Sequence, residues 1–194
     1  MRHVTIESLL DYPVEIRREM WRTAGKDGNA VLPLSAKQLA TAFVSEHSPI
    51  RMTLFRVVCR DMLYYTHVHF VRHTFLQPFV VSHRPDQTGQ ERSVDDTVEM
   101  ALVGNAQAWL DLMQVRLCTH PSPDTHAWAI AIKRAFAETH PEFAACLVPQ
   151  CVYRFDCPEG SRRCGWFDRQ NPPRWIRERY DWYAQVIASA HETD

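Results

Sequence analysis

The sequence predicts a single α+β domain, rich in helix and built around a small β-sheet. Three observations carry this reading. Two short β-rich runs, 51–58 and 75–82, flank an apolar helical stretch at 61–73. Residues 98–118 repeat apolar side chains at helical spacing, and a second amphipathic run opens at Asp124. The chain has 194 residues, 45% hydrophobic and 23% charged, enough for one sizeable core.

The elements follow in order. Residues 1–34 read as irregular or as one short helix, with Gly25, Gly28 and Pro33 marking turns. Ser35 is an N-cap for a helix through Leu39, Phe43 and Val44, which stops before Pro49. Met52, Leu54, Phe55, Val57 and Val58 make a strand of 51–58. Leu63, Val68, Phe70 and Val71 make a buried helix of 61–73, and 75–82 returns to strand. The polar stretch 85–96, with Gln87-Thr88-Gly89-Gln90, is a loop. Val98, Ala101, Leu102, Ala106, Trp109, Leu110, Met113 and Leu117 place 98–118 in one long helix, broken by Pro121 and Pro123. Trp128, Ile132, Ala135 and Phe136 continue the helix from Asp124. The whole chain, 1–194, reads as one domain, with a Cys-rich metal-binding loop at 146–165 and a C-terminal helix at 173–190.

Net charge is −1, so nothing global favours nucleic acid or an anionic membrane. Residues 1–15 do not have signal-peptide form, and no run approaches the ~20 apolar residues of a membrane span. The six Cys are therefore expected in a reducing cytoplasm, where close Cys spacing points to metal more than to disulfides.

Any anion site must be a local cluster, and two segments supply one. Arg72-His73 closes an apolar run, and Ser82-His83-Arg84 follows ten residues later. Guanidinium forks suit phosphate, and a helix-to-strand reversal would bring the two together. Taken alone, the same residues are two unrelated surface arginines. On the long helix, Asn105 and Arg116 lie eleven residues apart, about three turns, on one face. That face is either solvated or lines a cleft opposite Arg72 and Arg84. His69 and His73 also have i, i+4 metal-ligand spacing, with no Glu between them in a zinc-protease pattern.

The order Glu46-His47, Val71-Arg72-His73, Ser82-x-Arg84, Asn105-Ala106 and Arg116 resembles the flavin-dependent thymidylate synthases, over about 46–165. The resemblance implies their α+β fold and a one-carbon transfer to C5 of dUMP. The implied cofactor is FAD, with methylenetetrahydrofolate as carbon donor and NADPH as reductant. It implies a homo-oligomer, a tetramer, with a small-molecule nucleotide substrate. It assigns Arg72 and Arg116 to catalysis and His69, Arg72, Ser82, Arg84 and Arg116 to the nucleotide. His47, His73, Asn105, Gln107 and Asp111 fall on the flavin side. The sequence departs from the family pattern mainly there: Thr74 replaces an Arg, Gln77 and Phe79 replace a Ser and an Asn, and Gln107 and Asp111 replace an Arg and an Asn. Modification of another pyrimidine nucleotide, addition of a different group, and nucleotide binding without catalysis all stay open.

The remaining pattern is Cys151-x5-Cys157-x6-Cys164, with Cys118 at the end of the long helix. Four thiolates suit a closed tetrahedral zinc site, or an iron–sulfur centre; three free surface thiols are the alternative.

Overall fold

A computed structural model describes residues 2–29, 31–82, 84–89, 91 and 93–189. His83, of the Ser82-His83-Arg84 motif, and Ala190, the expected end of the last helix, lie outside these. The order is β1 (His3–Ser8), α1 (Tyr12–Thr23), α2 (Ala36–Ser45), β2 (Leu54–Leu63), α3 (Tyr64–Val71), β3 (Gln77–Val80) and α4 (Pro85–Thr88). Then come β4 (Thr97–Asn105), α5 (Ala106–Arg116), α6 (Pro123–Thr139), α7 (Pro141–Ala144), α8 (Gln150–Arg154), α9 (Trp166–Arg169) and α10 (Ile176–Ser189). The strands form one antiparallel sheet in the order β1-β2-β4-β3. Helix-rich with a small sheet, this is the α+β architecture expected from the sequence.

The boundaries of several elements differ from the sequence reading. The segment 98–105 is not the first half of a long helix but the central strand β4, paired with both β2 and β3. Val98, Met100, Leu102 and Gly104 alternate buried with more exposed neighbours, a period of two that helical spacing also happened to match. Pairing on both edges decides the outcome. β1 was missed, although Val4 and Ile6 alternate towards the core. Met52 belongs to a 3-10 turn, Ser48–Met52, and β2 starts at Leu54. β2 runs on to Leu63 through a bulge between Cys59 and Met62, where Asp61 takes φ 58°. That shortens the expected helix of 61–73 to α3. The 85–96 loop contains the single-turn helix α4.

The Ser35 cap is present as a full capping box with Gln38. Helices cover the apolar face of the sheet. At the centre, Phe55 of β2 meets Phe136 and Phe143 at ring distances of 5.0 and 5.1 Å, and Phe43 meets Phe143 at 5.0 Å. Most of these pairs are edge-on, the arrangement that ring quadrupoles favour. A smaller apolar cluster of Val148, Val152, Phe167, Tyr180 and Tyr183 seats α8, α9 and α10. Buried Lys133 joins the two clusters. Its Nζ donates to the carbonyls of Ala144 (2.9 Å) and Leu147 (2.6 Å) and lies 4.9 Å from the centre of the Tyr183 ring.

Gly104 packs closely against Leu76. A Cβ there would stand 2.2 Å from Leu76 Cδ2, and Leu76 is itself buried. Gly104→Ala is expected to cost about 1–3 kcal/mol, with the melting temperature falling about 2–4 °C per kcal/mol. Thermal denaturation checks this. Pairing it with Leu76→Val in a double-mutant cycle should recover part of the loss.

Candidate functional site

The site is assembled at the C-terminal ends of α3 and α5. β4 feeds α5 without a loop, because the Asn105 side chain caps the helix by accepting from the Ala108 N–H at 3.0 Å. α5 then runs eleven residues and ends at Arg116. α3 ends at Val71, which leaves Arg72 as its C-cap and His73 just beyond. Cations at helix C-termini are favoured by the helix dipole.

Arg116 Nε donates to His73 Nε2 at 3.1 Å. Burial and the Arg116 charge hold the His73 imidazole down at about 4. Burial, then the Arg72 charge, lowers Arg116, and burial with both arginines lowers His69. Four of the expected residues, His69, Arg72, His73 and Arg116, therefore form one cluster, whose positive charge is carried by the two arginines. Among the described residues, neither Arg72 nor Arg116 has a carboxylate partner. Arg2, Arg18, Arg56, Arg60, Arg84 and Arg163 all do. Arg116 borders a cavity, exposed Arg72 stands near it, and two neighbouring guanidiniums with no carboxylate are an arrangement suited to an anion.

That cavity has a volume of about 520 Å³ and is lined by His69 and Arg116 on one side and by Pro149, Trp166 and Phe167 on another. Gln114, Ser122 and His126 also line it, and sequence reasoning missed all three. Gln114 sits two residues before Arg116, and His126 has a buried Nδ1 with no hydrogen-bond partner among the described residues. Neither had a motif to mark it.

The other expected residues are placed elsewhere. Ser82 and Arg84 are exposed beyond the edge strand β3 and do not line the cavity. The Arg84 guanidinium turns back onto Asp86, at 2.7 and 3.1 Å. On the flavin side, His47 is exposed and lines a different hollow, with Ile16, Met20 and Pro49. Gln107 Nε2 donates to Glu46 (2.9 Å) and to Asp111 (3.3 Å). Asn105 uses its oxygen as the α5 cap. Within one protomer, only His73 of this set joins the arginines.

Cys118, Cys151, Cys157 and Cys164 all line the same cavity, and all are free thiols. Among the described residues, however, no three His, Cys, Asp or Glu side chains are disposed to hold a metal ion. Burial, with the Cys118 and Cys157 thiols nearby, pushes Cys151 up to about 12. Thr119 Oγ1 donates to Cys164 at 3.5 Å and lowers it. The loop is held by the Arg163 guanidinium, 2.9 Å from both Asp156 and Asp168. No helix among the described residues is long and apolar enough to cross a membrane.

This architecture is the fold of the flavin-dependent thymidylate synthases. Solved structures that share it include two with bound nucleotide. One is the UMP/dUMP methylase PolB from Streptomyces cacaoi, bound with 5-Br dUMP. It has 16% identity and a TM-score of 0.56, over 74% of this chain and 94% of that one. The other is thymidylate synthase X (ThyX) from Helicobacter pylori with FAD and dUMP. It has 13% identity and a TM-score of 0.54, over 76% of this chain and 99% of that one. No family model and no curated protein matches the sequence.

Arg72→Ala removes one of two like charges that have no acidic partner. The melting temperature is expected to hold or rise slightly. Calorimetric affinity for inorganic phosphate should fall by the contribution of a charge-assisted contact, about 1.5–3 kcal/mol.

Proposed function

We propose that the protein binds a pyrimidine deoxynucleoside monophosphate, dUMP, and attaches a one-carbon unit at C5 of its base. The observation that carries this reading is Arg116, lining a cavity with no carboxylate partner and with the Arg72 charge near it, on a fold shared with proteins bound to dUMP or its 5-bromo analogue. The arginines grip the phosphate and polarise the pyrimidine carbonyls, where donors in a partly buried site gain strength. Ser82 and Arg84 sit on an exposed edge and would reach a nucleotide from a neighbouring copy of the chain.

FAD is the proposed cofactor, and when bound in reduced form it supplies hydride. Methylenetetrahydrofolate is the proposed carbon donor and NADPH the reductant. His47, Asn105, Gln107 and Asp111 do not converge with His73 within one protomer, so this set fits a flavin only where copies of the chain meet. The proposed assembly is a homo-oligomer, a tetramer by family resemblance. UMP is the second candidate substrate, because PolB is described as acting on both UMP and dUMP.

Purified protein should show flavin absorbance, as isolated or after FAD addition, and should bind dUMP in calorimetry. Turnover followed by mass spectrometry should yield a nucleotide heavier by one carbon unit. A colourless protein that stays colourless in FAD while binding dUMP would point to a nucleotide-binding protein without catalysis. No binding of either nucleotide would end the reading.

A structural zinc is the second part of the proposal. It rests on the donor chemistry, four thiols from separate segments on one cavity wall. Zinc would have to draw Cys118, Cys151, Cys157 and Cys164 into contact, because they do not stand at ligating positions. Protein prepared without chelator should carry about one zinc per chain, and Cys157→Ser should release it and lower the melting temperature. Protein free of zinc and iron by elemental analysis would exclude the site.

A further inference from the structure

His73 is half-buried, lies just past the end of α3 and reaches across to α5. Its Nε2 accepts the Nε–H of Arg116 at 3.1 Å. Among the described residues this is the hydrogen bond that Arg116 makes, and its two terminal Nη groups have no partner. Arg116 lines the cavity. An arginine tied by Nε alone keeps its two outer amines in a fixed plane, free for a planar or tetrahedral anion. We propose that His73 is a positioning residue: its neutral imidazole holds the Arg116 guanidinium so that the outer amines face the nucleotide. This rests on the nucleotide reading above. It gives His73 a role on the substrate side, not only on the flavin side.

The chemistry requires a neutral ring. Guanidinium only donates, so its partner must accept, and a protonated imidazole has no lone pair to offer. The charged group facing His73 is Arg116 from α5; Arg72 and His69, on the same segment as His73, are in turn near Arg116. No carboxylate pairs with these four groups among the described residues, so nothing there favours the imidazolium. With the folded value near 4, below the ordinary 6.5, the folded ring stays neutral down to about pH 4. The unfolded chain takes up the proton first as pH falls. The stability contributed by this group is therefore full above about pH 6.5 and is lost progressively down to pH 4.

The test compares His73→Leu with His73→Gln. Glutamine places an amide oxygen near the Nε2 position and restores an acceptor. dUMP affinity at pH 7.5 is expected to fall on the order of tenfold in His73→Leu and to stay within about threefold of wild type in His73→Gln. By NMR, His73 in the wild type should titrate near 4, and Arg116→Gln should move it up towards the ordinary histidine range. Wild-type binding of dUMP with equal affinity in His73→Leu would overturn the positioning role and leave the nucleotide reading standing. So would a His73 that titrates near 6.5 whether or not Arg116 is present. Absence of dUMP binding in the wild type would instead overturn the nucleotide reading, and the positioning role with it. Equal losses in both variants, each with an unchanged melting temperature, would show that the ring itself is needed and not its acceptor.

Discussion

Between Gly104 and Ala106 the chain passes from the central strand of the sheet into a helix with no connecting residues. The Asn105 side chain makes this passage possible by replacing one of the backbone acceptors that a first helical turn lacks. The position of Arg116 depends on this junction. β4 is held on both edges by β2 and β3, so its end is fixed in space. Gly104, pressed against Leu76, lets the segment after α3 approach that end closely. α5 then carries its C-terminal arginine to the end of α3. A longer connection at 104–106 would leave the two arginines free to separate, as like charges do.

The aromatic core and the charge cluster are two consequences of one packing arrangement. Phe55, Phe136 and Phe143 interlock beneath the sheet and fix α6 and α7. α6 in turn brings Lys133 to the carbonyls of Ala144 and Leu147, which anchors the segment leading into α8. The cavity wall opposite Arg116 is made by that C-terminal third, with Arg179 set against the Phe155 and Phe167 rings at 3.1 and 5.3 Å from their centres. The cavity is thus a seam between two apolar clusters. Its polar side is the helix ends, and its other side is a loop with little core of its own.

The two halves of the expected site separate in the fold. Of the residues that match the family pattern, Arg72, His73 and Arg116 come together within the chain. Ser82, Arg84 and His47 sit on exposed segments, and Gln107 donates to both Glu46 and Asp111. The same division separates residues at the ends of α3 and α5 from residues on edges and loops, where side chains such as Arg84 turn to local partners.

Sequence by itself determined the composition-level outcome: one α+β domain, the Ser35 cap, and the helices of 36–45 and from 123 onward. These rest on local signals, since capping and apolar periodicity need no distant partner to be recognised. Tertiary structure alone decided that 98–105 is a strand. Its apolar positions suit either period, and only pairing with β2 and β3 separates the two. Tertiary structure also decided that Gln114 and His126 face the cavity and that His73 meets Arg116 forty-three positions away. A side chain's partner across the core depends on how helices pack, and that is fixed by the summed fit of the whole interior, not by any one segment.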